Sequence, residues 1–323
     1  FNNTRDEDIS DESPNLIDYK PKERQKINTV LDWVSTHADA KQIKLFKDFI
    51  LFKQPNYAAH HFEVLDNAFV SGPSFGLRNN GAVFVKNINP LGYQKLYMKY
   101  VGNSNRAKLV FRKNGINGKI IGKLKVSKKG KNFYGDRQGQ IITSIDICKE
   151  TEAFDLYVQL QTEDDTFKKE HVLIHWIAFM PQLPGKGNPG FTKVSKDLNE
   201  ALNFKGDLTP VMVENPDHMK RKTHVFDRGN WMVKKEEVQP GVPQTLNPWQ
   251  ERWENNRLGF AQWLVDEKNP LTARTLVNRV WYQVFGKGLV STLEDMGTMA
   301  DPPSHPALLD WLSYEFMHSM NWS

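Results

Sequence analysis

Cysteine is nearly absent from this chain. Cys148 is the only one in 323 residues, which excludes an internal disulfide and any cysteine-rich zinc site. No C-x-x-C-H occurs, so no c-type haem is attached within the sequence. No G-x-x-x-x-G-K-[ST] phosphate loop is present, which removes the usual signature of a P-loop enzyme. No run approaches the 18 apolar residues of a membrane-spanning helix. Acids are missing from one long stretch. Asn103–Asn132 holds ten Lys and Arg and no Asp or Glu, within a net charge of only +5. Residues 1–18 lean the other way, with six acids against Arg5.

What is present, first, is a series of short apolar segments closed by Gly, Asn or charge. They are GAVFVKNI (Gly81–Ile88), QKLYMKYV (Gln94–Val101), AKLVFRK (Ala107–Lys113), KIIGKLKV (Lys119–Val126), QIITSIDI (Gln140–Ile147), AFDLYVQL (Ala153–Leu160) and HVLIHWIAF (His171–Phe179). Strands at this spacing, with no long helical pattern between them, predict an antiparallel, jelly-roll-like β-sandwich. NGINGK (Asn114–Lys119) predicts a hairpin turn. KQIKLFKDFILFK and HFEVLDNAFV (His61–Val70) are expected as lead-in strands. His171 and His175 stand four apart, a metal-ligand spacing on a helix, but their neighbours favour a strand and no H-E-x-x-H is formed, so no metal is expected.

The flanks read differently. Residues 1–25 are a polar, acidic loop or tail, and Lys26–Ser35 predicts a short helix. Met180–Met219 is rich in Pro, Gly and Asn and reads as a linker with an extended piece at Val211–Glu214. Lys222–Asn230 predicts a strand that ends at Arg228-Gly229. The last residues turn helical. Leu258, Ala261 and Leu264-Val265 form one expected apolar stripe, and Leu276, Val280 and Val284 form another. A third helix begins near Ser304 and Pro306. The expected division is 1–40 as the end of a preceding domain, 41–182 as the sandwich, 183–255 as linker and lead-in, and 256–323 as the start of a helical domain. The whole is mixed but mainly β and reads as a piece of a longer protein.

Two resemblances bear on function. NPLTARTLVNRVWYQVFGKGLVSTLEDMG (Asn269–Gly297), with PPSHPALLDWLSYEF (Pro302–Phe316), resembles the start of the planctomycete-type C-terminal domain that follows c-type cytochrome domains in large secreted bacterial proteins. THVFDRGNW and EEVQPGVP resemble its lead-in, and FNNTRDEDISDESPNL resembles the end of the preceding domain. This implies export to the periplasm or cell surface and haem c upstream, with none in this chain and a redox partner left unnamed. LRNNGAVFVKNINPLGYQKLYMKY, GKIIGKLKVSKKGKNFYG and EAFDLYVQLQ with VLIHWIAF are similar to family 6-like carbohydrate-binding modules.

That second resemblance implies a non-catalytic module for polysaccharide, with two stacking rings and an Asn in its cleft. Phe133 stands where one ring is expected, beside Tyr134. The other ring falls near Leu77 and the Asn near Leu173, both departures that weaken the implied cleft. Arg78, Asn79, Asn80 and Asp136 are its expected polar contacts. The basic stretch admits two readings, a solvated and aggregation-resistant sheet edge or a surface for an anionic polysaccharide; no nucleic-acid motif supports the third. The enzyme alternative rests on Arg274, Asn278, Arg279, Asp295, His305 and Asp310 in the helical region. A purely structural spacer is the remaining alternative.

Overall fold

All seven apolar segments are strands, and they pair as two antiparallel sheets. The computed structural model describes residues 15–58, 61–71, 74–102, 106–127, 140–162, 171–205, 207–220, 222–297 and 299–322. The chain divides into two units, Phe1–Lys220 and Arg221–Ser323.

In the first unit the elements run β1 (Asn15–Asp18), α1 (Pro21–His37), α2 (Ala40–Phe52), β2 (Tyr57–Ala58), β3 (Phe62–Val64), β4 (Ala68–Ser71) and β5 (Ser74–Arg78). Then follow β6 (Ala82–Ile88), β7 (Lys95–Gly102), β8 (Ala107–Lys113), β9 (Ile120–Lys125), β10 (Ile141–Asp146), β11 (Phe154–Thr162) and β12 (His171–Met180). The unit finishes with α3 (Phe191–Leu202) and β13 (Asp207–Pro210). One sheet has the order β10-β7-β12-β5-β4, with β2 also on β12, and the other has the order β3-β6-β11-β8-β9. Between them lies a core that includes Phe75, Leu77, Val85, Phe111, Val158 and Ile174. Alternation along the strands builds it, because side chains two apart share a face. The β-sandwich is therefore as expected.

A second apolar layer lies on the other face of the six-stranded sheet. Tyr97, Trp176, Ala178 and Met180 point there and meet α1, α2 and α3 through Val30, Phe49 and Leu198. Strand β12 serves both cores by alternation, and a bulge shifts its phase: Ile174 pairs with Tyr100 and Trp176 with Lys99, which leaves His175 as the extra residue, so Ile174 and then Ile177 face the sandwich core.

Several sequence expectations change here. KQIKLFKDFILFK is the helix α2, not a strand: Ile43, Phe46 and Ile50 recur at three and four, and the Asp39 side chain accepts the Gln42 N–H at 2.8 Å. His61–Val70 is two strands, split by a turn in which Asn67 has φ 56°. The Met180–Met219 linker contains α3, whose Val194, Leu198, Ala201 and Leu202 are buried at helical spacing. Its extended piece lies at Asp207–Pro210, one step before Val211–Glu214, and pairs with Asn15–Asp18 from the expected N-terminal loop.

In the second unit β14 (Thr223–Asp227) and β15 (Asn230–Val238) form a hairpin whose turn residues Arg228 and Gly229 both have positive φ, 48° and 78°. Helices α4 (Arg257–Leu264), α5 (Thr272–Phe285) and α6 (Pro306–His318) follow. The apolar stripes expected on α4 and α5 are corrected. Leu276, Val280 and Val284 are 40%, 58% and 67% exposed, and Leu258 is exposed too. The buried side of α5 is instead Ala273 and Asn278, with Val277 and Trp281 against Leu289, Val290 and Leu309. Helical spacing fixed the stripe's period but not which side of each helix meets the small core. No helix among the described residues is long and apolar enough to cross a membrane.

Candidate functional site

The outward face of the five-stranded sheet carries two rings. On β6, Val83 and Val85 point into the core, so Phe84 points out. On β11, Leu156 and Val158 point in, so Tyr157 points out. The register sets Tyr157 directly opposite Phe84, with ring centroids 5.2 Å apart at 65°, an edge-to-face pair. The same cross-strand row continues to Arg112 on β8 on one side and Glu63 on β3 on the other. Phe84 is half-buried and Tyr157 is buried. Burial raises the Tyr157 hydroxyl's pKa, so it stays a neutral donor and acceptor at physiological pH.

The β8–β9 hairpin tip stands beside these rings. Lys113 N–H donates to Lys119 O at 3.0 Å and Gly118 N–H to Gly115 O at 3.0 Å, which closes the turn. Only glycine fits at 118, where a Cβ would sit 1.5 Å from Lys113 O. Gly115, at φ +123°, brings the tip to Phe84: its missing Cβ would lie 3.9 Å from the ring's Cζ. With Asp66 from the β3–β4 turn, the tip and the rings bound an open groove of about 920 Å³. Asn114, Asn117, Lys113 and Lys119 supply its polar wall. Lys113 and Lys119 share Glu150 at 2.7 and 3.1 Å, and the Lys113 hydrogen bond leads in holding that carboxyl below its usual range. Arg112 Nε is buried with no hydrogen-bond partner among the described residues.

The sequence-predicted cleft residues fare differently. Phe133, Tyr134 and Asp136 lie outside the described residues. Arg78, Asn79 and Asn80 form the β5–β6 turn. Gly81 N–H donates to Arg78 O at 2.7 Å, Asn80 holds φ 58°, and the Asn79 side chain accepts from Thr162 Oγ1. The Arg78 guanidinium lies 4.9 Å over the Phe69 ring. Leu77 is core, and Leu173 is buried on the sheet's other face opposite Gly76. The turn residues are thus occupied in holding the turn and the Phe69 ring.

The C-terminal candidates do not converge. Arg274 and Asp310 join α5 to α6, with Nε and Nη2 at 2.8 and 2.6 Å from Oδ1. Asn278 is fully buried and bonds both Val290 N–H and Val290 O, at 3.0 and 3.1 Å. Asp295 accepts the Gly297 N–H at 2.9 Å within a turn. His305 is exposed just before α6, 3.1 Å from Ser304 Oγ, and Arg279 is exposed on α5. One ion pair and one backbone clamp result, not an acid–base constellation.

His175, read first by its spacing from His171, has a local role. Its Nδ1 lies 2.8 Å from Ser74 Oγ, and its Nε2 is buried without a partner among the described residues. Burial first, and Lys99 second, push its pKa down to about 3. An unfolded histidine titrates near 6.5. Between those values the unfolded chain takes up a proton that the folded chain refuses, so stability falls as pH falls, by at most about 1.4 kcal/mol per unit. A melting series from neutral to acid pH should show a shallower decline for His175→Gln than for the parent; equal slopes would contradict the buried, neutral imidazole.

The groove went unread in the sequence because its rings sit within strand segments. The available signal was phase: Phe84 and Tyr157 occupy the outward positions of GAVFVKNI and AFDLYVQL, where a polar residue is expected. Which strands become neighbours is not visible in such patterns.

Residues 256–323 match the family described as PSD1, a protein of unknown function (DUF1553). No curated protein matches the chain. Among solved structures the chain is similar to a family 6 carbohydrate-binding module from Clostridium cellulolyticum in complex with xylose, at 14% identity and TM-score 0.33, covering 39% of this chain and 95% of that one. It is also similar to CsCBM6-3 from Clostridium stercorarium in complex with cellobiose, at 15% identity and TM-score 0.32, covering 40% and 94%. A β-1,3-glucan-binding CBM6 from Bacillus halodurans is similar at 12% identity and TM-score 0.30, covering 39% and 95%.

Proposed function

We propose that the first unit is a non-catalytic polysaccharide-binding module and that sugar seats in the groove above Phe84 and Tyr157. One observation carries this reading: two rings paired across strands on an outward sheet face, in an open groove walled by Asn114, Asn117 and Asp66. A pyranose has an apolar C–H face and an equatorial rim of hydroxyls. Phe84 offers the first an aromatic surface, and the amides and carboxylate offer the second hydrogen bonds. Tyr157 backs the Phe84 ring edge-on and lends its hydroxyl. The sequence resemblance to family 6-like modules supports the same reading. Export to the periplasm or cell surface, with a cytochrome-bearing region elsewhere in the protein, is our proposal for its setting and rests on the planctomycete-type resemblance alone.

Affinity electrophoresis of the whole chain through gels containing soluble glycans tests the groove. Retention is expected on at least one glycan, weakened about two- to tenfold by Phe84→Ala, since a lost stacking contact is worth about 0.5–1.5 kcal/mol. Phe133→Ala is the comparison arm. Loss at Phe133 with Phe84→Ala unaffected would move the site to the 128–139 segment. Retention on no glycan would end the module reading.

A further inference from the structure

The groove opens onto a face with an unusual charge. Its register sets Lys108 on β8 directly opposite Lys125 on β9, and Val110 opposite Lys123. All three lysines are exposed and point outward, since Leu109 and Leu124 between them point into the core. Like charges facing each other across a strand pair are destabilising. Elsewhere on the sheets such charges are matched: Lys86 by Glu63, Lys95 by Asp146, and Lys113 and Lys119 by Glu150. Among the described residues no carboxylate answers Lys108, Lys123 or Lys125. Arg112, two residues along β8 from Val110, continues the set into the ring row, with its Nε buried and unanswered.

Edge protection explains part of this. Lysines on β9, the last strand of its sheet, discourage edge-to-edge pairing. It does not explain Lys108 or Arg112. Strand β8 lies between β11 and β9, so its side chains guard no edge and stand on the face of the sheet. The floor there is uncharged: Val110, Gln159 and Tyr157 are buried in adjoining rows, and Gln161 Nε2 donates to Gln159 Oε1 at 3.0 Å. Exposed ammonium groups over a buried, neutral floor form a strip that starts at the rings and runs to the sheet's edge.

We infer that the polysaccharide taken by this face is anionic, bearing sulfate or uronate groups, with Lys108, Lys123, Lys125 and Arg112 reading its charge beside the ring pair. The inference rests on the groove reading and narrows it. A polymer with charges repeating along its length relieves the cross-strand repulsion at several lysines at once and releases the counterions gathered there, so its binding weakens as salt rises. Rings next to the strip separate this ligand from a nucleic acid held by charge alone.

The test runs the whole chain on gels containing dextran sulfate, polygalacturonate, neutral β-glucan or xylan, or duplex DNA, over a range of NaCl. The expected result is tighter binding to one of the charged glycans than to either neutral one, lost progressively with salt. The double variant Lys108→Gln/Lys125→Gln should weaken binding to that glycan about tenfold and flatten the log–log salt dependence by about one unit per lysine, by analogy with polyanion binding in general. Lys108→Arg/Lys125→Arg should restore both, and thermal melting confirms that each variant is folded. Equal, salt-independent retention on neutral and charged glycans would overturn the anionic assignment and leave the groove standing. Binding to DNA as tight as to the charged glycans, and indifferent to Phe84→Ala, would overturn it in favour of an unselective polyanion surface. No retention on any glycan would overturn the groove reading as well.

Discussion

Phe49→Ala should destabilise the first unit by about 3–5 kcal/mol, the range for deleting a buried aromatic ring. The side chain is wholly buried on α2 and meets Tyr97 edge-to-face at 4.9 Å and Trp176 at 6.2 Å. Both partners lie on the outward face of the six-stranded sheet, so the substitution opens a cavity between the helices and the sandwich. The sandwich core between the two sheets is untouched. In a unit of this size about 1 kcal/mol moves the midpoint by about 2–4 °C, so a fall of roughly 6–20 °C is expected by circular dichroism. The shape of the transition carries further information. A single lowered transition means the helical layer and sandwich unfold together. A shift of only a degree or two would show that α1–α3 are peripheral, contrary to the buried second core.

Asn278→Ala should have the next largest effect, about 2–4 kcal/mol on the second unit. It strips two partners at once, leaving Val290 N–H and Val290 O buried and unpaired, and each such orphan costs about 1–3 kcal/mol. Gly288 packs against the same amide, where a Cβ would fall 2.8 Å from Asn278 Oδ1. Arg274→Ala is the informative contrast. Its pair with Asp310 is solvent-exposed and should be worth under about 1 kcal/mol. A thermal melt followed by tryptophan fluorescence should separate the two variants clearly. Equal stabilities would mean that Asn278 is retained for something other than the clamp, and would reopen the enzyme alternative for this region.

The strands were legible because alternation is a local property. Ala107–Lys113 is β8 from end to end, and the other six segments miss their strands by only a few residues at either end. The helical layer was not legible for a physical reason. α2 is rich in Phe, Ile and Leu, so its apolar content looks strand-like until the three-and-four spacing of Ile43, Phe46 and Ile50 is counted. α3 hides between Gly190 and Asn203 in a segment whose Pro and Gly content signals a loop. The Asn-Gly hairpin was readable, but its role was not. That Gly115 comes to rest against Phe84 depends on β8 and β6 both flanking β11, a long-range pairing that no window of sequence contains. In the helical region the period was right and the phase wrong, because phase depends on where the partner element lies.

The pairing of β1 with β13 has a consequence of its own. Asn15–Asp18 runs alongside Asp207–Pro210, so the polypeptide enters and leaves the sandwich at neighbouring points. Close termini are common in compact domains and are what makes such a fold tolerant of circular permutation, so joining residues near 15 and 210 with a short linker and opening the chain at an exposed turn should leave the unit folded.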